Sequence, residues 1–127
     1  MMQYKERKSI YLQIADIMYE QILSGTWKAH ERIPSIRETA VDMEVNPNTV
    51  TRTYTLLQEQ GIIYNKRGIG YYTSPEAWER IRKHKKREFK EEVLPELFRT
   101  MDMLTISIDD IKQYYHQAHQ RRIHETQ

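Results

Sequence analysis

The spacing of apolar residues changes several times along the chain, and each change marks an element. Ile10, Ile14, Ile17, Met18, Ile22 and Leu23 recur every three to four residues. This predicts an amphipathic helix with Ser9 at its N-cap and Gly25 just past its end. Trp27 follows in a short loop and is expected to pack on the domain. Ser35-Ile36-Arg37-Glu38, entered from Pro34, has the spacing of a capping box. A second helix therefore starts there and runs to about Glu44, with Ile36, Ala40 and Met43 inward. Asn46 and then Pro47 open a third helix, because proline loses nothing at the first helical position. Val50, Tyr54 and Leu57 form its inner face and Gly61 stops it.

Only Glu44-Val45 separates the second and third helices, so the chain must turn sharply between them, as in a helix-turn-helix. The period then drops to that of strands. Ile62-Ile63-Tyr64 and Tyr71-Tyr72-Thr73 flank the basic turn Asn65-Lys66-Arg67-Gly68-Ile69-Gly70, which reads as a hairpin and, in this position, as a wing. Beyond Ser74-Pro75 the pattern is helical again. Trp78, Ile81, Phe89, Val93, Leu97, Phe98 and Met101 give an apolar stripe that Pro95 should kink or break. Ser107-Ile108-Asp109-Asp110 caps a last helix with Ile108, Ile111, Tyr115 and Ala118 inward, fraying from Ile123. The expected fold is mostly α with a small β-hairpin. A winged helix-turn-helix in residues 1–74, its reading head between about Ser9 and Thr73, precedes a two-helix dimerisation region in residues 75–127.

Composition narrows this picture only modestly. The 127 residues suit one domain with an appendage, and 20 Lys plus Arg against 18 Asp plus Glu leave a net charge of +2. So small a sum implies no partner, and any electrostatic argument must come from where the charges sit. There is no cysteine, which removes disulfides, thiol nucleophiles and Cys-based zinc sites. The stretch Met1 to Lys8 is polar with no signal-peptide core, and no apolar run is long enough to span a bilayer. The expectation is a cytoplasmic protein with no membrane partner.

The chemistry concentrates on the third helix. With Val50, Tyr54 and Leu57 inward, Asn48, Thr51, Arg52 and Thr55 face outward. All can hydrogen-bond base edges, Arg to guanine and Asn to adenine. Thr49 lies in the first turn, where a phosphate is favoured, and Asn46 reads first as a cap with a base contact as its second possible role. Arg37 is either a surface partner of Glu38 or a neighbouring acid or, the reading taken, a phosphate clamp with Ser35 beside it. Lys66, Arg67, Gly68 and Gly70 form the candidate wing contact.

Two further features stay open. Arg80-Ile81-Arg82-Lys83-His84-Lys85-Lys86-Arg87 is either a DNA contact or localisation signal, or the solvated face of a helix that Glu76, Glu79, Glu88, Glu91 and Glu92 partly neutralise. His116 and His119, with His124 and Glu125 beyond, are either surface residues or part of a metal- or ligand-responsive switch; the reading taken is that no metal is bound. A winged helix can also serve as a protein-interaction module, which acidic surfaces on the third helix and wing would favour. No phosphate loop, converging carboxylate pair or cysteine supports an enzyme, so neither catalytic residues nor cofactors are expected.

The blocks Arg32-Ile33-Pro34-Ser35-Ile36-Arg37-Glu38, Val45-Asn46-Pro47-Asn48-Thr49-Val50, Leu57-Gln58-Glu59-Gln60-Gly61-Ile62-Ile63 and Arg67-Gly68-Ile69-Gly70-Tyr71 resemble the GntR family of bacterial transcription regulators. With its short helical tail the chain looks most like the YtrA subfamily. The resemblance implies a homodimer that binds a palindromic DNA operator, usually as a repressor, with an effector left undefined. It also implies that Arg37 is the phosphate-binding arginine, Thr49 the early threonine of the recognition helix, and Gly68 and Gly70 the wing glycines. The chain departs from the broader pattern at Pro47 and Thr51, where many relatives carry arginine, and at Tyr71, where a small residue is usual. Two helices alone cannot bury their apolar stripes. Leu94, Leu97, Phe98, Met101, Leu104, Ile108, Ile111 and Tyr115 are therefore expected to pack on a second subunit.

Overall fold

The computed structural model describes residues 8–125. The polar amino-terminal stretch up to Arg7 and the last two residues lie outside the described part. Helix α1 (Ile10–Leu23) is followed by α2 (Ile36–Met43) and α3 (Pro47–Glu59), then by strands β1 (Ile63–Lys66) and β2 (Gly70–Thr73). Helix α4 (Ala77–Glu88), a π-helical turn (Phe89–Val93), α5 (Leu94–Leu104) and α6 (Ile108–Glu125) complete the order.

The helix ends are written in the sequence. Ser35 and Glu38 form the reciprocal capping box, and Asn46 accepts from the Asn48 amide with Pro47 in the first turn of α3. Ser9 holds the N-cap position of α1, but its side chain makes no cap bond. Gly25 and Gly61 follow α1 and α3 with φ of 83° and 73°, conformations that favour glycine. Between α2 and α3, Glu44 itself takes the left-handed conformation at φ 55°, and this makes the sharp turn possible within so few residues.

Two compact units divide the chain, one ending at Arg87 and the other beginning at Glu88. The core of the first gathers Ile14, Met18 and Ile22 of α1, Ala40 of α2 and Val50, Tyr54 and Leu57 of α3. Ile62, Ile63, Ala77 and Ile81 close it. Helix α4 thus belongs to this core through Ala77 and Ile81. Trp27, Ile36 and Met43 pack on its edge. Ile10 and Ile17, expected to point inward, are 54% and 44% exposed. Ala15 and Tyr19 take the inward positions, because the buried arc of α1 is centred one residue later than the branched residues suggest.

Strands β1 and β2 pair antiparallel, with Ile63 opposite Thr73 and Lys66 opposite Gly70. The far edge of β2 is paired as well. The Ile33 amide donates to the Tyr71 carbonyl at 3.0 Å, Thr73 to Glu31 at 2.9 Å and His30 to Thr73 at 2.8 Å. This extra pairing locks the loop before α2 to the wing.

In the second unit the helical hydrogen-bonding widens to a π turn just before Pro95, which sits in the first turn of α5. In a regular helix its ring would press on the Glu91 carbonyl, and the wider turn relieves that clash. Ser107 and Asp110 cap α6 reciprocally, each bond at 3.0 Å. Met101 is buried within this unit, and Leu94 and Ile111 are half-buried. Leu97, Phe98, Leu104, Ile108 and Tyr115 remain exposed, Ile108 at 65%.

Helix α4 is tied to α1 by charge. Asp16 accepts from Lys8 at 2.6 Å and from Lys85 at 3.1 Å, and the Lys85 ammonium lies 5.2 Å above the Tyr19 ring. Burial alone would raise the Asp16 carboxyl, but hydrogen bonds and charge from the two lysines outweigh it and hold it below the ordinary aspartate range. A lowered folded-state value gives stability that is present at neutral pH and lost as acid protonates the carboxylate. Asp16→Asn should therefore flatten the fall in stability below about pH 4, the usual aspartate range. The check is urea denaturation of both proteins across acid pH. Parallel pH profiles would remove Asp16 from this role.

Candidate nucleic-acid interface

Helix α3 presents the polar face expected of it. Asn48, Thr51, Arg52 and Thr55 stand at spacings of three, four and seven, and all are exposed. Thr49 is half-buried in the first turn, and Asn46 is exposed but spends its side-chain oxygen on the cap, at 2.8 Å from the Asn48 amide. The Thr51 hydroxyl donates back to the Pro47 carbonyl at 3.0 Å, leaving its methyl outward and its oxygen able to accept.

Arg52 is held in a way the sequence did not suggest. Its guanidinium carbon lies 3.8 Å from the centroid of the Tyr11 ring. The Tyr11 backbone is itself fixed to α3, because the buried Thr53 hydroxyl donates to the Tyr11 carbonyl at 2.7 Å. Ser9, Ile10, Tyr11, Asn48, Thr49 and Arg52 line one shallow depression of about 280 Å³. The start of α1 therefore belongs to this surface. Only a pairing of α1 with α3 could have revealed that, since Tyr11 and Arg52 stand about forty positions apart in sequence.

Arg37 is exposed at the start of α2 and has no ion pair among the described residues. The adjacent acid is already engaged. The Glu38 carboxylate accepts from the Ser35 amide at 3.0 Å, and that hydrogen bond, with the Ser35 hydroxyl and the charge of Arg32, holds it below its ordinary range. Ser35, half-buried, uses its hydroxyl oxygen to accept from the Glu38 amide.

At the wing, Lys66, Arg67 and Gly68 are exposed and Gly70 is half-buried. The Lys66 ammonium sits 4.6 Å over the Tyr72 ring, which stacks on Tyr64. Gly68 takes φ 77° at the tip with open space around it. Gly70 takes φ 152°, which favours glycine, and a Cβ there would lie 2.9 Å from Nε of Arg32, so that side chain would have to shift.

The phenol of Tyr54 sets these parts relative to one another. Its hydroxyl donates to the Pro34 carbonyl at 2.7 Å, and Thr39 lies 2.9 Å away. A carbonyl can only accept, so the single phenolic proton goes to Pro34 and the Thr39 hydroxyl donates to the Tyr54 oxygen. The ring meets Tyr71 of β2 edge-on at 4.9 Å. Burial pushes this phenol above its ordinary range.

Elsewhere, His119 stacks on Tyr115 at 6.1 Å. Among the described residues no group of three or more His, Asp or Glu is placed to hold a metal ion. No helix among the described residues is long and apolar enough to cross a membrane.

Comparison with known proteins identifies what this arrangement resembles. The model of the gntR family of bacterial regulatory proteins matches residues 10–72. The chain is 43% identical over 79 residues to the HTH-type transcriptional repressor YtrA of Bacillus subtilis (strain 168), covering 61% of each protein. It is 37% identical over 75 residues to the uncharacterized HTH-type transcriptional regulator YhcF of the same organism, covering 59% of this chain and 62% of that one. The match thus spans about three-fifths of the length of both curated relatives. Among solved structures, a GntR-family transcriptional regulator from Bacteroides thetaiotaomicron superposes with a TM-score of 0.72 at 45% identity. That match covers 90% of this chain and 99% of that one.

Removing the Tyr54 hydroxyl should leave Pro34 and Thr39 unpaired in the core. Tyr54→Phe is expected to cost about 1–3 kcal/mol of stability. Equilibrium denaturation should show a lower midpoint at an unchanged slope. An unchanged midpoint would mean that the hydroxyl does not hold the helices and loop together.

Proposed function

Because the chain belongs to the GntR family of bacterial regulatory proteins, we propose that it is a sequence-specific DNA-binding transcriptional regulator of the cytoplasm. It acts as a homodimeric repressor on a palindromic operator. The observation that carries this reading is the exposed face of α3 formed by Asn48, Thr51, Arg52 and Thr55, with the Arg52 guanidinium carbon over the Tyr11 ring at 3.8 Å. A guanidinium stacked on a ring keeps the N–H groups at its edge free to donate in plane, which is what a guanine O6/N7 pair requires. Arg37, Ser35 and Thr49 take phosphates, and Lys66 and Arg67 of the wing enter the neighbouring groove, where Gly68 and Gly70 allow the backbone to come close. Asn46 contributes mainly as the cap that fixes the start of α3. Repression comes to this chain from the name of its relative YtrA.

The functional division follows the same line. Residues 1–74 read DNA and residues 75–127 dimerise; α4 packs on the first unit, so the partner is met by Leu97, Phe98, Leu104, Ile108 and Tyr115 of α5 and α6, with Leu94 and Ile111 half-buried and Met101 buried behind them. The exposed apolar face of α5 and α6 supports this assignment. A two-fold dimer sets two recognition helices one DNA turn, or a multiple, apart.

Gel shifts with the palindromic region upstream of its own operon should show salt-sensitive binding that random duplex does not match. Equal affinity for random DNA would end the sequence-specific reading. Arg52→Ala should lose about 1–3 kcal/mol on the operator and relax base choice. Tyr11→Leu should have the same character at smaller size, because it frees the arginine without removing it. Arg37→Ala should weaken operator and random duplex alike and lower the salt slope by about one. Leu97→Asp/Phe98→Asp should sediment as a monomer.

A further inference from the structure

The basic run of α4 divides into two faces. Arg82 pairs with Glu79 at 3.4 Å and Lys85 with Asp16 at 3.1 Å, so part of the charge is spent within the molecule. Arg80, Lys83, His84 and Arg87 follow the helical spacing of three, four and seven and line one groove of about 290 Å³. Its floor is apolar, made by Ile62 and Ile81 with the edge of Tyr19. Among the described residues Lys83 and Arg87 carry no ion pair and no acid lines the groove.

The groove lies at the end of α3 opposite the start of its reading face. It is bordered by Gln60, about 18 Å along the axis from Asn48 and about 8 Å from Thr55 at 1.5 Å per residue. Nearly 300 Å³ is the lower end of the range for small-ligand clefts and too small for a folded partner. Several cations along one wall over an apolar floor suit a molecule with an anionic chain and a flat apolar body.

We propose that this groove binds a nucleotide-sized organic phosphate. Its phosphates run along Arg80, Lys83 and Arg87, and its body rests on Ile62, Ile81 and Tyr19. The site is wired to the recognition helix. Arg80 Nη1 reaches the Gln60 carbonyl at 3.4 Å, and the Tyr19 hydroxyl donates to Gln60 Oε1 at 2.6 Å. The same guanidinium lies 3.0 Å from where a Cβ on Gly61 would stand, so glycine is what lets it approach. Arg80 thereby offsets the negative end of α3, and a bound phosphate shares that cation. Occupancy of the groove is coupled to the setting of α3.

The test uses calorimetry on the full chain without DNA, so its outcome is separate from the DNA-binding reading. ADP, pyrophosphate and adenosine are titrated in turn. ADP should bind saturably at one per chain, pyrophosphate more weakly and adenosine weakest. Lys83→Ala/Arg87→Ala alters two exposed side chains and should weaken ADP about tenfold or more. Lys112→Ala/Arg121→Ala on α6 removes the same charge elsewhere and should leave ADP binding unchanged. No saturable ADP binding, equal loss in both variants, or adenosine binding as well as ADP would each overturn the proposal. So would a Lys83→Ala/Arg87→Ala protein that keeps its ADP affinity while losing affinity for random duplex, since the groove would then be a DNA phosphate contact.

Discussion

One buried phenol fixes how the reading elements stand relative to one another. Tyr54 belongs to α3 and is wholly buried, its hydroxyl bonds Pro34 before α2 and Thr39 within α2, and its ring meets Tyr71 of the wing. A hydrophobic residue of similar size would fill the volume but could not specify distances. The phenol does, because its one proton and its acceptor lone pairs each have a single partner in a site closed to water. The loop before α2 is in turn bonded to β2 through Ile33 and Tyr71, so the wing, the turn and the two helices form one closed set of constraints. Everything on the outer face of α3 inherits its position from this inner bond set.

The arginines show how a chain with almost no net charge directs positive charge to chosen places. Arg32, Arg52 and Arg80 are each laid against something small or flat. For Arg32 it is the missing Cβ of Gly70, for Arg52 the ring of Tyr11, and for Arg80 the missing Cβ of Gly61. A guanidinium held this way has already given up much of its rotamer freedom, so less is lost when its edge donates to a ligand. Glycines at the ends of α3 and of the wing turn thus do two jobs, accepting a positive φ and leaving room for a cation.

Local features were readable from the sequence because their physics is local. The Ser35–Glu38 box, Asn46-Pro47 and Gly61 act within one helical turn, and the hairpin follows from two β-prone runs around Gly68 and Gly70. What escaped depends on which distant elements meet. Tyr11 reads simply as one more residue of an amphipathic helix until α1 is laid across α3. Asp16 reads as a surface acid until Lys8 and Lys85 approach it from both sides. The basic run of α4 could not be sorted into paired and unpaired faces without knowing that Ala77 and Ile81 point into the core. The inward face of α1 was misplaced at Ile10 and Ile17 for a related reason. Branched apolar residues draw attention, whereas Ala15 and Tyr19 are the ones buried.

The second unit poses a different energetic problem from the first. The Ser107–Asp110 cap of α6 and the π turn ahead of Pro95 order its backbone, but among the described residues Met101 is the one large apolar side chain in it that is buried. Phe98 at 46% and Ile108 at 65% exposure leave an apolar face that two helices cannot fold over themselves. Helices of this length are marginal in water without tertiary packing, so in the proposed dimer the exposure that destabilises a lone chain would be what drives association. Stability and oligomeric state would then be one quantity for this part of the chain.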